Sequence, residues 1–219
     1  MGSTISRTAA AFTTLAGFIR TAEQQRVALA VYRILAGGEP ATPQRIAEEA
    51  GVPRATVASD LARWPATFRD GNGAVTGFFG LSSGPHNHRF EVEGQGNVWT
   101  WCTYDSLFIT EILGVATRVV SECPVSGATI ELTLTPTGID TVEPAGAVMS
   151  MIDPELASAD DIITSLCQYI RLFVSSDAAE TWVAEHPGTF VISIADAFEV
   201  ARRMNAELFA TVLAGTAAG

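Results

Sequence analysis

The sequence contains no lysine and few cysteines. All 13 basic residues are arginines, and they face 24 acidic residues, so the net charge is −11 at pH 7. A chain of this charge repels nucleic acid and anionic membranes. Cys102, Cys123 and Cys167 are the three cysteines. This set is too small for a disulfide framework or a four-cysteine zinc site, and it favours a reducing, cytoplasmic location.

Other missing signals exclude further classes of protein. The chain has no apolar run of ~18 residues, so no transmembrane helix is predicted, and its start lacks a secretory signal pattern. It also lacks a glycine-rich phosphate loop and an HExxH motif. A Cys–His protease would need a positioned histidine, and beyond the pair His86 and His88 the chain has only His186.

Charge is spread unevenly along the chain, which indicates two modules. Residues 1–80 carry 8 arginines and 6 acidic residues, a net charge of +2, whereas residues 81–219 carry 5 and 18, a net charge of −13. Apolar residues make up 47% of the sequence, enough to bury a sizeable core. We therefore expect an N-terminal module over residues 1–81 and a second domain over residues 82–219.

The first module has a helical pattern. Residues 1–20 predict an Ala/Thr-rich helix that is loosely attached or packs on a partner. Helices are then predicted over Arg26–Ala36, over Gln44–Ala50 and from Pro53 onward, and Asp70–Gly73 is a hairpin signal. Three helices and a hairpin form a winged-helix-like module. Its small positive charge gives only weak support for DNA binding, and a packing module is the alternative.

The sequence pattern of the second domain predicts an α+β fold, with a mixed, mainly antiparallel β core and flanking helices. His86 and His88 lie in a predicted loop, and we interpret them as exposed loop histidines because no third metal ligand matches them. A closing helix is predicted over Ala195–Leu213. The predicted strands cover residues 89–93, 97–101, 116–120, 129–135, 147–152, 168–174 and 190–194.

The stretch Trp99–Phe108 carries the clearest chemical signal. Cys102 precedes Asp105 by three residues, where a strand leads into a helix predicted over Asp105–Leu113. That spacing turns both side chains toward one face, and a helix amino end favours a thiolate. The pattern indicates a soft-metal or nucleophilic thiol beside a proton source. A core cysteine followed by a capping aspartate is the alternative interpretation.

The other two cysteines extend this pattern. Cys102 and Cys167 each stand beside a predicted element boundary, where a side chain can face a pocket. A pair of thiolates with one carboxylate suits a soft metal ion. Cys123 lies at a predicted hairpin tip beside Pro124, which favours a structural role.

With these residues in view, the sequence resembles the organomercurial (alkylmercury) lyases over roughly residues 25–210. The spacing of Cys102 and Asp105, the distance to Cys123 and the later Cys167 form a specific set. The matching segments are Trp101–Phe108, Ala116–Val119, Ser121–Gly127, Val142–Gly146, Ser165–Cys167, Glu180–Trp182 and Ala195–Phe198.

The resemblance implies an activity and a set of site residues. The family cleaves carbon–mercury bonds by protonolysis, giving a hydrocarbon and Hg(II), without a cofactor. The resemblance assigns catalysis and binding of the Hg(II) product to Cys102, Asp105 and Cys167, and a structural role to Cys123. It also implies a winged-helix-like part that does not bind DNA. Gln168 stands where some members have a second cysteine, so a tandem thiol is absent.

A mechanism follows from those groups. Cys102 would displace a ligand from the mercurial and Cys167 would add as a further ligand. Asp105 would take a thiol proton and give it to the carbon. External small thiols, or a mercuric reductase partner, would then remove Hg(II). The candidate walls of an apolar substrate pocket are Trp99, Trp101, Tyr104 and Phe108, although core packing accounts for each equally well.

Two other functions fit the same thiols. One is a metal-responsive winged-helix transcriptional regulator that uses them as a sensor. The other is a non-catalytic protein that binds mercury or copper. Release of a hydrocarbon from an organomercurial distinguishes the lyase from both.

Overall fold

The structure is a computed structural model that describes residues 2–216, and it has an α+β fold. The α-helices are α1 (Gly2–Leu15), α2 (Ala22–Ala36), α3 (Pro43–Ala50), α4 (Arg54–Arg63), α5 (Thr103–Leu113), α6 (Ile162–Ser165), α7 (Ser176–Ala184), α8 (Ile194–Leu208) and α9 (Ala210–Thr216). The strands are β1 (Thr67–Arg69), β2 (Val75–Phe78), β3 (Leu81–Ser82), β4 (His88–Val92), β5 (Asn97–Thr100), β6 (Thr117–Glu122), β7 (Thr129–Thr135), β8 (Gly138–Glu143), β9 (Val148–Ile152), β10 (Leu172–Phe173) and β11 (Thr189–Ser193).

Local capping and turn residues explain the elements that follow α1. The Thr42 side chain accepts a hydrogen bond from the Arg45 N–H at 3.3 Å and so caps α3. Gly51 ends that helix in the left-handed region. In the turn between β1 and β2, Asp70 Oδ1 accepts from the N–H groups of Asn72 and Ala74 at 2.9 and 3.0 Å. The predicted helices and hairpin of this region are confirmed as elements.

Helix α1 packs on its own chain. Ala9, Phe12 and Ala16 are buried, the helix contacts α8, and Arg203 Nη1 donates to Ser6 Oγ at 2.8 Å. The expectation of a loosely attached or partner-packing helix was therefore wrong, because the apolar face of α1 is covered by α8.

Two antiparallel sheets make up the β structure. The larger has the strand order β1-β2-β3-β5-β4-β6-β7-β8, and the smaller has the order β10-β9-β11. Strand β8 was not predicted from the sequence, although it pairs with β7 and places Val142 opposite Leu132. The large sheet runs from the N-terminal hairpin into the region after residue 82, so its strands connect both parts of the chain.

Helix α5 lies in the interior. Every residue of α5 is buried except Glu111, which is half-buried, and the helix contacts α2, α8 and strands of the large sheet. A helix that is buried on all sides has no solvent-facing stripe. Its polar side chains at the amino end, including Asp105, therefore face other protein groups rather than water.

The segment around Cys167 differs from its prediction. Cys167–Tyr169 forms a 3₁₀ turn, and the strand β10 covers only Leu172–Phe173. The predicted strand over residues 168–174 was too long, since its first residues turn instead of pairing. No helix within residues 2–216 has both the length and the apolar character needed to cross a membrane.

Candidate functional site

The two thiols and the carboxylate singled out in the sequence meet at one point. The ligand atoms of Cys102, Asp105 and Cys167 all lie within 4.8 Å of one another, and all three residues are buried. They come from two distant segments, the amino end of α5 and the turn after α6. A set of this composition suits a soft metal ion, because thiolates prefer such ions over magnesium or calcium.

The start of α5 fixes two of these groups. Cys102 is the residue before the first turn of the helix, with extended backbone angles. Its N–H donates to Asp105 Oδ2 at 2.7 Å, which satisfies one of the unpaired N–H groups of the helix end. The predicted helix is confirmed with an earlier start, at Thr103 rather than Asp105, and Gly114 ends it as expected.

Cys167 is supplied by a tight turn. The Leu166 N–H donates to the Ile162 carbonyl at 3.0 Å, and the Ile170 N–H donates to the Cys167 carbonyl at 3.3 Å. These bonds hold the cysteine between α6 and β10, with the side chain 1% exposed. The turn therefore brings the second sulfur to α5 without a long regular element.

Gly80 packs directly against the carboxyl group. Its φ is +99°, and a Cβ atom built there would lie 2.6 Å from Asp105 Cγ. The Trp101 N–H donates to the Gly80 carbonyl at 2.9 Å, and Tyr32 Oη donates to the Phe79 carbonyl at 2.9 Å. Glycine is required here because only it combines this φ with so close an approach. Gly80 was not predicted as a site residue, because no motif in the sequence marks it.

Burial changes the acidity of the carboxyl group. Burial raises the pKa of Asp105 from 3.8 to about 7, although hydrogen bonds to the carboxylate from the Cys102 backbone and thiol oppose the shift. A carboxyl group with this pKa is partly protonated at neutral pH. Asp105 is thus able both to accept and to donate a proton under such conditions.

The thiols behave differently from the sequence prediction. Burial, followed by a hydrogen bond from the Cys102 thiol to Cys167, raises the pKa of Cys102 well above its usual range. For Cys167 the same hydrogen bond lowers the pKa, burial raises it, and the net pKa is raised. The prediction that the helix end favours a Cys102 thiolate was wrong for the protein without a ligand, because desolvation outweighs the helix end.

A small apolar cavity adjoins these groups. It has a volume of about 10 Å³, and both Asp105 and Cys167 line it. Three of the four predicted pocket residues are in its wall, namely Trp101, Tyr104 and Phe108. The prediction was wrong for Trp99, which lies in β5 and lines a separate groove. Wall residues that the sequence did not indicate include Phe12, Gly80 and Met204.

Phe12 closes one side of the cavity. Its ring stacks on Tyr104 with centroids 4.4 Å apart, and Tyr104 Oη donates to Met204 Sδ at 3.8 Å. The helical spacing of the first 20 residues indicated an apolar face, but the sequence contained no sign of what that face would cover. Helix α1 thereby contributes directly to the site.

Cys123 is separate from this cluster. It follows β6 in a turn where the Gly127 N–H donates to the Cys123 carbonyl at 2.8 Å and the Cys123 N–H donates to the Ala128 carbonyl at 2.9 Å. Although burial raises the pKa of its thiol, hydrogen bonds from Ser126 and nearby backbone groups lower the net pKa. The cysteine is 1% exposed, which is consistent with a structural role.

The two neighbouring histidines are not equivalent. His88 starts β4 and is 2% exposed, with Nδ1 2.8 Å from Ser121 Oγ, whereas His86 is half-buried. The interpretation of both as exposed loop residues was therefore wrong. Neither belongs to a cluster of three metal-ligating groups in the described part of the chain.

The chain is similar in sequence to known proteins. The family model described as "MerB: Alkylmercury lyase" matches residues 81–206. The alkylmercury lyase of Streptomyces lividans is 36% identical over 176 residues, covering 80% of each chain. That of Bacillus cereus is 37% identical over 172 residues, covering 78% of this chain and 77% of its own.

A solved structure has the same fold. It is titled "Crystal structure of the mercury-bound form of MerB2" and superposes with a TM-score of 0.74 at 19% identity, covering 93% of this chain and 99% of the other. The match of family and fold, together with the cluster of two thiols and a carboxylate, leads to one conclusion. The chain belongs to the alkylmercury lyase family and is a carbon–mercury lyase.

Proposed function

We propose that Cys102, Cys167 and Asp105 are the catalytic groups that cleave the carbon–mercury bond and then hold the Hg(II) product. The observation that carries this proposal is their convergence, with all ligand atoms within 4.8 Å of one another in a buried site. A mercury atom placed among them would contact both sulfurs and the carboxyl group at once. No other group of three such side chains was found in the described residues.

The reaction is a ligand exchange followed by a proton transfer. Cys102 loses its proton to Asp105 and its sulfur displaces the weak ligand X of R–Hg–X. Cys167 adds as a further ligand, and its proton is released with X. The added sulfur donates electron density to mercury, which makes the bound carbon more basic. Asp105 then protonates that carbon, R–H leaves, and Hg(II) remains bound to the two sulfurs.

The acidity of the carboxyl group supports its role as the proton donor. A general acid works best when its pKa lies near the working pH, and burial raises the pKa of Asp105 to about 7. The hydrogen bond from the Cys102 N–H also orients the carboxyl group toward the thiol. An ordinary surface aspartate would be ionised at neutral pH and would have no proton to give.

The organic group of the substrate would occupy the aromatic cavity. A volume of about 10 Å³ accommodates no more than about one water molecule. Binding therefore requires wall side chains to move. Phe12 and Tyr104 are the pair whose separation would enlarge the cavity beside Asp105.

Broader features of the proposal follow from the same chemistry. The substrate is an organomercurial, and the reaction needs no resident cofactor because sulfur ligands and one proton donor suffice. Small thiols or a mercuric reductase would remove Hg(II) in the cytoplasm. We further infer that residues 1–81 form a winged-helix-like module that binds no nucleic acid and that contributes Phe12 and Gly80 to the wall of the site. The three catalytic groups belong to a catalytic domain over residues 82–219.

The test is release of hydrocarbon in a single turnover. Protein in excess over phenylmercury should release benzene into the headspace, and Cys102→Ser and Cys167→Ser should each reduce the rate by about 100-fold or more, as expected for loss of a catalytic group. Cys123→Ser is the matched control and should retain the rate. Full activity of Cys167→Ser would refute the two-thiol mechanism.

The two alternative functions are not favoured, since the relatives are lyases. A regulator would shift a DNA fragment in a salt-dependent, sequence-specific way. A non-catalytic binding protein would take up mercury but leave phenylmercury intact. The same headspace measurement distinguishes both from the proposed function.

A further inference from the structure

A polar groove lies close to the catalytic cluster but is not part of it. Its volume is about 640 Å³, and His86, His88 and Arg171 line it. Trp101, which lines the catalytic cavity, connects the two regions. Its ring centroid is 6.4 Å from that of His86, and its carbonyl accepts from Asn87 Nδ2 at 3.2 Å.

Among the described residues, two nitrogen atoms in this groove have no hydrogen-bond partner. His88 is 2% exposed and uses Nδ1 with Ser121, but its Nε2 has no hydrogen-bond partner in the described part of the chain. His86 Nδ1 is likewise buried and unpaired there. Buried polar atoms are nearly always paired, so these two ring nitrogens indicate a ligand or solvent partner.

Arg171 gives the groove a positive charge beside the catalytic thiol. Its Nε donates to the Gln168 carbonyl at 3.0 Å, which folds the side chain back toward the residue after Cys167. Arg89, the other arginine of the groove, pairs with Glu91 at 2.8 Å. Among residues 2–216, Arg171 has no carboxylate within ion-pair distance, and Glu122 is the acidic residue on the groove's rim.

The charge of Arg171 also acts on its neighbours. Burial is the main cause that lowers the pKa of His86 and of His88, and the positive charge of Arg171 is the second cause. The two rings are therefore neutral, and each can offer one N–H group. One guanidinium with two neutral imidazoles is a donor set suited to a carboxylate.

We propose that this groove binds the carboxylate of a small anionic thiol, which removes the mercuric ion from Cys102 and Cys167. The proposal rests on the lyase function above, because it concerns the product of that reaction. Two incoming thiols, R′SH, replace the two enzyme sulfurs on Hg(II) and form Hg(SR′)₂. Their two protons return to Cys102 and Cys167, and mercury stays divalent, so no electron is transferred.

The experiment uses the protein loaded with one equivalent of HgCl₂. Loss of mercury from the protein is followed after adding 3-mercaptopropionate or 2-mercaptoethanol at equal thiolate concentration, because the thiolate is the reacting form. The same two thiols also extract Hg(II) from a synthetic dithiol, and the ratio of their two extraction rates serves as the reference ratio. The unmodified protein should favour the carboxylate-bearing thiol by about tenfold over that reference, and salt should reduce the preference.

Variants of Arg171 test whether this side chain causes the preference for the carboxylate-bearing thiol. The corrected ratio is the ratio of the two thiols' rates with the protein, divided by the reference ratio. Arg171→Gln should bring this corrected ratio to about one. Arg171→Lys should keep part of the preference, since lysine keeps the charge but lacks the planar guanidinium. Arg54→Gln is the matched control: it removes an exposed arginine from α4, which does not line the groove. This variant should keep the full preference.

Two results would overturn the proposal. One is equal corrected rates for both thiols in the unmodified protein at low salt, a comparison that does not depend on a variant folding. The other is a preference that persists in Arg171→Gln. Hydrocarbon release is measured separately, so a failure of the lyase mechanism would appear there, while the thiol preference would still be read from protein loaded directly with Hg(II).

Discussion

Replacing Asp105 by Asn tests whether burial holds a proton on this side chain. Asparagine has nearly the same shape and is neutral at every pH, so it imitates the protonated acid. Its side-chain oxygen can still accept the hydrogen bond that the Cys102 N–H donates to Asp105 at 2.7 Å. The substitution therefore changes the charge at this position while preserving most of the packing.

The raised pKa sets the expected size and sign of the effect. The pKa rises from 3.8 to about 7 on folding, and each unit corresponds to 1.36 kcal/mol, which gives at most about 4 kcal/mol. Between pH 4 and 7 the folded protein holds more protons at Asp105 than the unfolded chain. The stability contributed by this side chain therefore falls as pH rises through that window.

The assay is urea unfolding of both proteins at pH 4 and at pH 8. At pH 4 their free energies of unfolding should nearly coincide. At pH 8 the Asn variant should be the more stable, by up to about 4 kcal/mol, because it buries no charge. The variant should also lose hydrocarbon release by about 100-fold or more, since it cannot donate the proton. An equal stability difference at both pH values would refute the proposed protonation of Asp105.

Three further substitutions test the surroundings of the site. Gly80→Ala places a Cβ 2.6 Å from Asp105 Cγ at a φ of +99°, so it should cost about 1–3 kcal/mol and slow hydrocarbon release; unchanged single-turnover kinetics would contradict the close approach. Phe12→Ala removes the ring stacked on Tyr104 and should lower the free energy of unfolding by about 3 kcal/mol while raising the relative rate with bulky aryl mercurials over methylmercury. An unaltered substrate preference would show that α1 does not bound the pocket. Cys123→Ala should lower stability by about 1–2 kcal/mol yet release hydrocarbon at the normal rate, and a large loss of rate would assign this thiol to the reaction.

The sequence was most informative where local chemistry determines the structure. Cys102 and Asp105 lie three residues apart at a helix start, and that pattern alone predicted their shared orientation. The helix stop at Gly114 and the turn at Asp70–Gly73 follow from residues that favour such backbone angles. These local signals were confirmed because they depend on residues that are neighbours along the chain.

Features that depend on distant contacts were harder to predict. The convergence of Cys167 with Cys102 was inferred from family resemblance, since a 3₁₀ turn carries no periodic signal. Gly80 and Phe12 were missed, because their importance lies in what they contact rather than in their own neighbours along the chain. The predicted thiolate at Cys102 failed for a similar reason: the sequence reveals the helix end but not the depth of burial.

In the proposed site, one mercury atom is bound by two particular sulfurs, those of Cys102 and Cys167. X-ray absorption at the mercury edge, on protein loaded with one equivalent of Hg(II), measures this coordination directly. The unmodified protein and Cys123→Ser should both show two sulfur ligands, whereas Cys102→Ser and Cys167→Ser should each show one sulfur replaced by oxygen or nitrogen. Two sulfurs retained in Cys167→Ser, or a sulfur lost in Cys123→Ser, would contradict the account.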